Sequence, residues 1–277
     1  MGKNSKRKGF VLIAHVPFKI NLGLYITRRR EDGYHDLETV FYPVHNLEDT
    51  IEMTQEGSDV VLVQEGGDFS IDPEKNLCVK AFRLMQSRHS LPGVRIRLQK
   101  NIPSGAGLGG GSADAAYTLK LTNGLFDLNL PDSLLEQYAA ELGSDVPFFI
   151  QASPALATGK GELLSPIPLD LTHKTITVFK PDFSISTAEA YAQVRPLSGR
   201  KPLVSILHDD TKKWQSELVN DFEKTLFPKY PILAEIKQKF YNLGAEYASL
   251  SGSGSAVFAI ADKPIDLTPY FNGKTVQ

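Results

Sequence analysis

The chain has 277 residues, enough for two domains at about 150 residues each. It is 42% hydrophobic and 22% charged, which excludes a disordered chain. Its net charge of -2, from 30 basic and 32 acidic residues, lacks the basic excess of a dominant nucleic-acid surface. A single cysteine, Cys78, excludes an intrachain disulfide and a multi-cysteine metal site, and reads as a small core residue on a helix. The histidines are scattered and form no H-E-x-x-H pair.

At the N-terminus, Lys3, Lys6, Arg7 and Lys8 precede the apolar run Phe10 to Ala14. The run is too short for a signal peptide and no small-residue cleavage site follows, so this segment reads as a solvated basic tail. No stretch approaches the roughly 18 apolar residues of a membrane span. The expectation is a cytoplasmic protein with no membrane partner.

In chain order, Val11 to Val16 and Ile20 to Thr27 read as extended, joined around Pro17. Asp49 to Gln55 and Val60 to Gln64 read as two more strands. Apolar residues at Leu77, Ala81, Leu84 and Met85 predict a helix over Asn76 to His89. Val94, Ile96 and Leu98 alternate with Arg95, Arg97 and Gln99, the pattern of a half-exposed strand. A glycine-rich loop at 104–111 leads into a helix of small residues, Ser112 to Thr122. The next helix, Asp132 to Leu142, starts behind Pro131 with Asp132 as its cap. Beyond Ala152-Ser153-Pro154, Lys174 to Lys180 reads as a strand. Ser186 with Glu189 forms a capping box opening a helix through Val194. Two or three helices follow from about 202 to 243, where Leu243-Gly244 makes a stop. Glu246 to Leu250 and Ala256 to Ala261 are strands flanking Ser251-Gly252-Ser253-Gly254-Ser255.

The most informative segment is Pro103-Ser104-Gly105-Ala106-Gly107-Leu108-Gly109-Gly110-Gly111-Ser112-Ala113. So many glycines are costly in conformational entropy, and make sense where backbone must approach a ligand closely. The helix that follows turns free N–H groups and its positive end toward the loop, which suits phosphate. Asp114, in the first turn, reads as a helix-start acid. Gly105-x-Gly107-x-x-Gly110 satisfies the dinucleotide pattern, but a lengthened turn and a second helix replace the strand that pattern needs. A P-loop requires Lys after the last glycine, where Gly111 and Ser112 stand. The H-R-D and D-F-G motifs of protein kinases are absent.

Two further segments offer groups for chemistry. Phe18-Lys19-Ile20-Asn21-Leu22 sets Lys19 and Asn21 on one face of a strand. Gly143-Ser144-Asp145-Val146-Pro147-Phe148-Phe149 sets an acid straight after a helix end. Alone, each is explained by a solvated lysine and a turn-forming aspartate.

Ile102-Pro103 through Ala115-Ala116 resembles the central motif of the GHMP small-molecule kinases. The blocks Pro17 to Leu22, Arg30 to Thr39, Gly143 to Phe149, Thr158-Gly159-Lys160-Gly161-Glu162 and Ser251 to Ser255 follow in the order of one branch of that family. The resemblance implies an α+β, two-domain fold. A ribosomal protein S5 domain 2-like N-terminal domain would span 1–158 and a GHMP kinase C-terminal domain 159–277, with the active site in the cleft between. It implies ATP and Mg²⁺ as cofactors, with residues 103 to 113 wrapping the ATP phosphates, Ser112 as a phosphate or Mg²⁺ contact, and no side chain assigned to the metal. It implies Asp145 as the base for the acceptor hydroxyl and Lys19 as its catalytic partner, with Asn21 beside them at the substrate. It implies a small-molecule substrate carrying a cytidine diphosphate group, held at Tyr34 and His35, with Phe183 on the other side of the base. An aromatic face suits a pyrimidine by stacking, and a neutral histidine offers one donor and one acceptor to its edge. The expected assembly is a monomer or weak homodimer with no nucleic-acid partner.

Three departures from the family pattern stand out: Phe18 and Ala113 for small or serine residues, and Gly23 for a bulky one. The alternatives are a GHMP kinase acting on mevalonate, homoserine or a sugar, a silent nucleotide-binding protein, and an RNA-binding module on a related scaffold.

Overall fold

The computed structural model describes residues 10–67 and 72–276, so the basic N-terminal tail lies outside the described residues. In chain order the elements are β1 (Val11–Arg29), β2 (His35–Gln55), β3 (Val60–Glu65), α1 (Leu77–His89), β4 (Val94–Gln99), α2 (Gly110–Leu125), α3 (Asp132–Leu142) and α4 (Phe148–Gln151). There follow β5 (Ala155–Thr158), β6 (Leu163–Pro166), β7 (Thr175–Pro181), α5 (Thr187–Tyr191), α6 (Leu203–Leu207), α7 (Thr211–Glu217), α8 (Glu223–Lys229), α9 (Pro231–Asn242), β8 (Tyr247–Leu250), β9 (Val257–Ala261) and β10 (Gly273–Val276). The architecture is mixed α+β. The chain divides into two compact units, one of residues up to 16, 48–102 and 110–151, the other of 17–47, 103–109 and 152–277.

In the first unit, β3 pairs parallel to β4, and β4 pairs antiparallel to the end of β2 with Thr50 opposite Gln99. Val94, Ile96 and Leu98 are buried and alternate with Arg95, Arg97 and Gln99, so one face of β4 meets the core. On α1 the buried residues Cys78, Ala81, Phe82 and Met85 fall at helical spacing. Asn76 caps this helix by accepting the Cys78 N–H at 2.8 Å. Burial pushes the Cys78 thiol far above its ordinary value, which fits a core side chain. α2 packs on α1 and α3 through small buried residues, among them Ala115, Ala116 and Thr118.

In the second unit the strand order is β10-β7-β9-β8, all antiparallel. α9 packs on β8 and β9. Its Leu233, Ile236 and Phe240 join Phe179, Phe222, Leu250 and Val257 in one buried cluster. The first part of β2 pairs with β5 at Thr39–Ala157, and β5 with β6.

Several details differ from the sequence reading. β1 is one strand of 19 residues that runs through Pro17 without a break. Proline's fixed φ is compatible with extended backbone, so it marks a strand as readily as a joint. α2 starts at Gly110 instead of Ser112. The residue capping α3 is Pro131, and Asp132 is already helical and makes no capping bond. Ser186 does accept the Glu189 N–H, at 3.2 Å, but α5 ends at Tyr191. Four short helices occupy 203–242. No helix among the described residues is long and apolar enough to cross a membrane.

Candidate active site

Strand alternation sorts the functional part of β1. Phe18, Ile20 and Leu22 are fully buried on one face, and Lys19 and Asn21 lie on the other. Phe18 therefore faces away from the Lys19 side of the strand, so it does not crowd that lysine's face. Lys19 and Asn21 are only 4% and 2% exposed, unusual for such polar groups, and both are partnered. The Lys19 ammonium donates to Asn21 Oδ1 at 2.7 Å, Asn21 Nδ2 donates to Thr39 Oγ1 at 3.0 Å, and Thr39 donates to the Gly23 carbonyl. The Lys19 Nζ also sits 5.0 Å from the centre of the Phe41 ring, a favourable cation–π position. Gly23 has φ +70°, and a Cβ there would lie 2.6 Å from Leu203 Cδ2, so a bulky residue does not fit.

The glycine loop is tied to the same strand, since the Lys19 N–H donates to the Leu108 carbonyl at 2.9 Å. Gly105, Gly107 and Gly109 all have positive φ, between +65° and +79°. At Gly107 a Cβ would stand 1.9 Å from the Ser251 carbonyl oxygen, and at Gly254 it would stand 2.1 Å from the Gly107 nitrogen. The two glycine loops therefore touch backbone to backbone. Ser251 Oγ donates to the Gly107 carbonyl at 3.0 Å, and the Ala256 N–H to the Ala106 carbonyl at 3.2 Å. A Cβ on Gly252 would be 3.1 Å from Asn21 Oδ1 and 3.4 Å from Lys19 Nζ. The 251–255 turn thus lies against both the Lys19 pair and the 106–107 backbone. Gly107→Ala combines a forbidden contact with an unfavourable φ. It is expected to lower unfolding stability by at least about 2 kcal/mol in a urea titration.

Chemically, the 103–113 segment fits a polyphosphate. It presents backbone without side chains at Gly105, Gly107 and Gly109, and α2 follows with Gly110, Gly111, Ser112 and Ala113 as its first turn, where free N–H groups cluster. Ser112 is half-buried and Ala113 is buried. Among the described residues no group of three or more His, Cys, Asp or Glu is arranged to hold a metal ion.

Asp114 is more than a helix-start acid. It is 3% exposed and accepts the Lys100 ammonium at 2.8 Å, while Lys100 also pairs with the buried Asp49. Asp49 accepts the N–H groups of Asn101 and Ile102 at 2.6 and 2.8 Å, fixing the entry to the glycine loop. Two carboxylates around one cation leave an excess negative charge in the interior. Asp114, with one oxygen lacking any partner, is the member with fewest donors. Burial, and secondarily the nearby Asp49, raise its carboxyl to about 7 despite Lys100. A folded value above the unfolded one means the native state binds the extra proton between about pH 4 and pH 7, so stability through this group falls as pH rises across that window. Asp114→Asn should flatten that slope in urea unfolding at pH 5 and pH 8. Lys100 and Asp49 escape sequence reasoning, since each looks like an ordinary strand-end charge and the three meet only across the fold.

Tyr34 and His35 follow a turn in which the Arg30 N–H donates to the Tyr34 carbonyl at 2.8 Å and Gly33 has φ +84°. The Tyr34 ring is 62% exposed, with the Lys160 ammonium 4.8 Å from its centre. His35 is half-buried, with its ring 5.1 Å from that of Tyr191, which in turn packs edge-on against Phe222. Burial, and then the charge of Arg29, lower the His35 value, which favours the neutral ring. Phe183 stacks on Tyr230 at 5.3 Å and lines a groove of 510 Å³ with Ile232, Tyr270 and Phe271. Asp145 is half-buried in the turn between α3 and α4, anchored by the buried Val146, Phe148 and Phe149. It belongs to the first unit; Lys19, Asn21, Tyr34, His35 and Phe183 belong to the second. Within the second unit the structure brings Lys19 and Asn21 together with the glycine loop. Thr39, the third member of that polar chain, was not singled out by the sequence, since its partner lies 18 positions away.

The GHMP kinase N-terminal domain matches residues 76–153 and the GHMP kinase C-terminal domain residues 203–267, which makes the chain a GHMP-type kinase. A 4-diphosphocytidyl-2-C-methyl-D-erythritol kinase of Bacteroides fragilis is 49% identical over 245 residues, covering 87% of this chain and 89% of that protein. One of Azobacteroides pseudotrichonymphae is 45% identical over 94% of this chain and 97% of its own length. A crystal structure of 4-(cytidine 5'-diphospho)-2C-methyl-D-erythritol kinase superposes with a TM-score of 0.79 at 36% identity, covering 91% of each chain. The chain belongs to the 4-diphosphocytidyl-2-C-methyl-D-erythritol kinase family, and as a kinase it takes ATP as substrate. The mevalonate kinase of Methanococcus jannaschii, at 16% identity and TM-score 0.65, shares the fold.

Proposed function

We propose that this enzyme transfers the γ-phosphoryl group of ATP to the 2-hydroxyl of 4-diphosphocytidyl-2-C-methyl-D-erythritol, a step toward isoprenoid precursors by the non-mevalonate route. The observation that carries the reading is the buried Lys19–Asn21–Thr39 chain lying against the two interlocked glycine loops. Such a cation is fixed in place before any ligand binds, which is what phosphoryl transfer demands of a protein.

Asp145 accepts the proton of the acceptor hydroxyl as its oxygen bonds to phosphorus, and ADP leaves. Lys19 offsets the charge growing on the alkoxide. Residues 103–113 hold the triphosphate by backbone N–H groups and the start of α2, with Ser112 at a phosphate oxygen. Bound ATP with Mg²⁺ supplies the phosphoryl group and neutralises charge on the leaving phosphate. The exposed Tyr34 ring stacks on the cytosine, the neutral His35 offers a donor and an acceptor to its edge, and Phe183 lies on the opposite side of the base. Asn21 contacts the acceptor beside Lys19. This reading keeps the division at residue 158 between an ATP-binding and a C-terminal domain, a cytoplasmic monomer or weak homodimer, and no nucleic-acid partner. The test is ADP release with Mg-ATP and four acceptors. Turnover with the cytidyl alcohol alone is expected, and activity on mevalonate, homoserine or a sugar in its place would refute the specificity.

A further inference from the structure

The segment Asn220-Asp221-Phe222 lies between α7 and α8, which opens at Glu223, and carries polar side chains buried in the second unit. Asn220 is 1% exposed. Its Nδ2 donates to two carbonyls, Leu250 and Gly252, each at 2.9 Å, and its Oδ1 accepts the Phe222 N–H at 3.0 Å. Both donors of one amide and an acceptor on its oxygen are thus spent on the flank of the 251–255 turn and on its own backbone, a set no carboxylate or hydroxyl can supply. The same segment is laced to β1, with the Leu24 N–H donating to the Val219 carbonyl and the Asp221 N–H to the Leu24 carbonyl, both at 2.9 Å. Leu24 lies three residues beyond Asn21 on that strand. Asp221 Oδ2 accepts the Ile26 N–H at 2.9 Å and pairs with Arg200. Glu223 accepts the Leu250 N–H and the Ser249 hydroxyl, both at 2.9 Å.

We propose that Asn220 is a positioning residue for phosphoryl transfer: it fixes the Gly252 turn against Lys19 and Asn21, acting through that turn. The inference rests on the kinase reading above. Its geometric basis is that Gly252, whose carbonyl Asn220 holds, is the residue whose Cβ would contact both Asn21 Oδ1 and Lys19 Nζ. Ser251, next to it, holds the Gly107 carbonyl. A turn released at Leu250 and Gly252 therefore loosens the wall beside the lysine and the contact with the glycine loop together. Misplacement by about 1 Å is enough to cost phosphoryl transfer heavily.

The test compares Asn220→Ala and Asn220→Ser with Asp221→Asn in the full chain, by steady-state kinetics and by hydrogen exchange of the peptide covering 249–256. For Asn220→Ala, kcat should fall about 10- to 100-fold while the KM values for ATP and the cytidyl alcohol stay within about 3-fold. Exchange should quicken in 251–255 and stay unchanged in 175–181. Asn220→Ser, whose hydroxyl reaches at most one of the two carbonyls, should fall between Asn220→Ala and the unaltered chain, and serves if the alanine variant does not fold. Asp221→Asn loosens the β1 side of the segment, and should lower Tm with kcat within about 3-fold. Unchanged kcat in the Asn220 variants, or faster exchange spread over the whole chain, would overturn the proposal. A wild-type enzyme that does not phosphorylate the cytidyl alcohol would refute the kinase reading instead, and exchange at 251–255 would still decide whether Asn220 holds the turn.

Discussion

Asp145→Asn is expected to lower kcat by about 10²- to 10⁴-fold while ATP still binds, since the amide keeps the shape of the carboxylate and cannot take a proton. The turn that carries Asp145 is held by Val146, Phe148 and Phe149, none of which depends on the carboxylate, so the variant should fold normally. Lys19→Met should bring a loss of the same order. If the two groups act as one unit, the double variant is little worse than either single one. Multiplying losses in the double variant would contradict the pairing, and near-normal turnover of Asp145→Asn would remove the base assignment.

The largest effect on stability is expected at Lys100. Lys100→Met leaves Asp49 and Asp114 buried with no cation between them, and removing one partner from a buried ionic cluster costs about 3–5 kcal/mol. Asp49 would still accept the Asn101 and Ile102 N–H groups, so the penalty should concentrate on Asp114, which already has an unpartnered oxygen. Urea unfolding at pH 8 reads the loss directly. Lowering the pH should recover part of it, because a protonated Asp114 no longer buries an uncompensated charge. A loss under about 1 kcal/mol at pH 8 would contradict the account of a cluster held by its lysine.

What the sequence makes legible here is local. The alternation that puts Lys19 and Asn21 on one face of β1, the Ser186 cap and the glycine loop ahead of α2 are all written within a few residues of one another. The rest depends on partners far apart in the chain. Thr39 completes the lysine's polar chain from β2, Asp49 and Asp114 meet at Lys100 from 51 and 14 positions away, and Asn220 reaches the 250–252 carbonyls from 30 positions away. No periodicity or turn rule registers such contacts, and a run such as Asn-Asp-Phe reads simply as the space between helices. β5, β6 and β10 escape for a related reason. They are four-residue strands, too short for an alternation pattern, and exist because β2 offers an edge to β5, β5 to β6 and β7 to β10.

The proposed reaction delivers phosphate to one particular hydroxyl of a cytidyl alcohol. The most direct measurement is phosphorus NMR of the product formed from ATP and 4-diphosphocytidyl-2-C-methyl-D-erythritol, with stoichiometric ADP counted in parallel. One new phosphate monoester, on the 2-hydroxyl, is expected for each ADP released, and should nearly disappear with Asp145→Asn. A monoester on another hydroxyl, or ADP released without any phosphorylated cytidyl product, would contradict the proposed reaction.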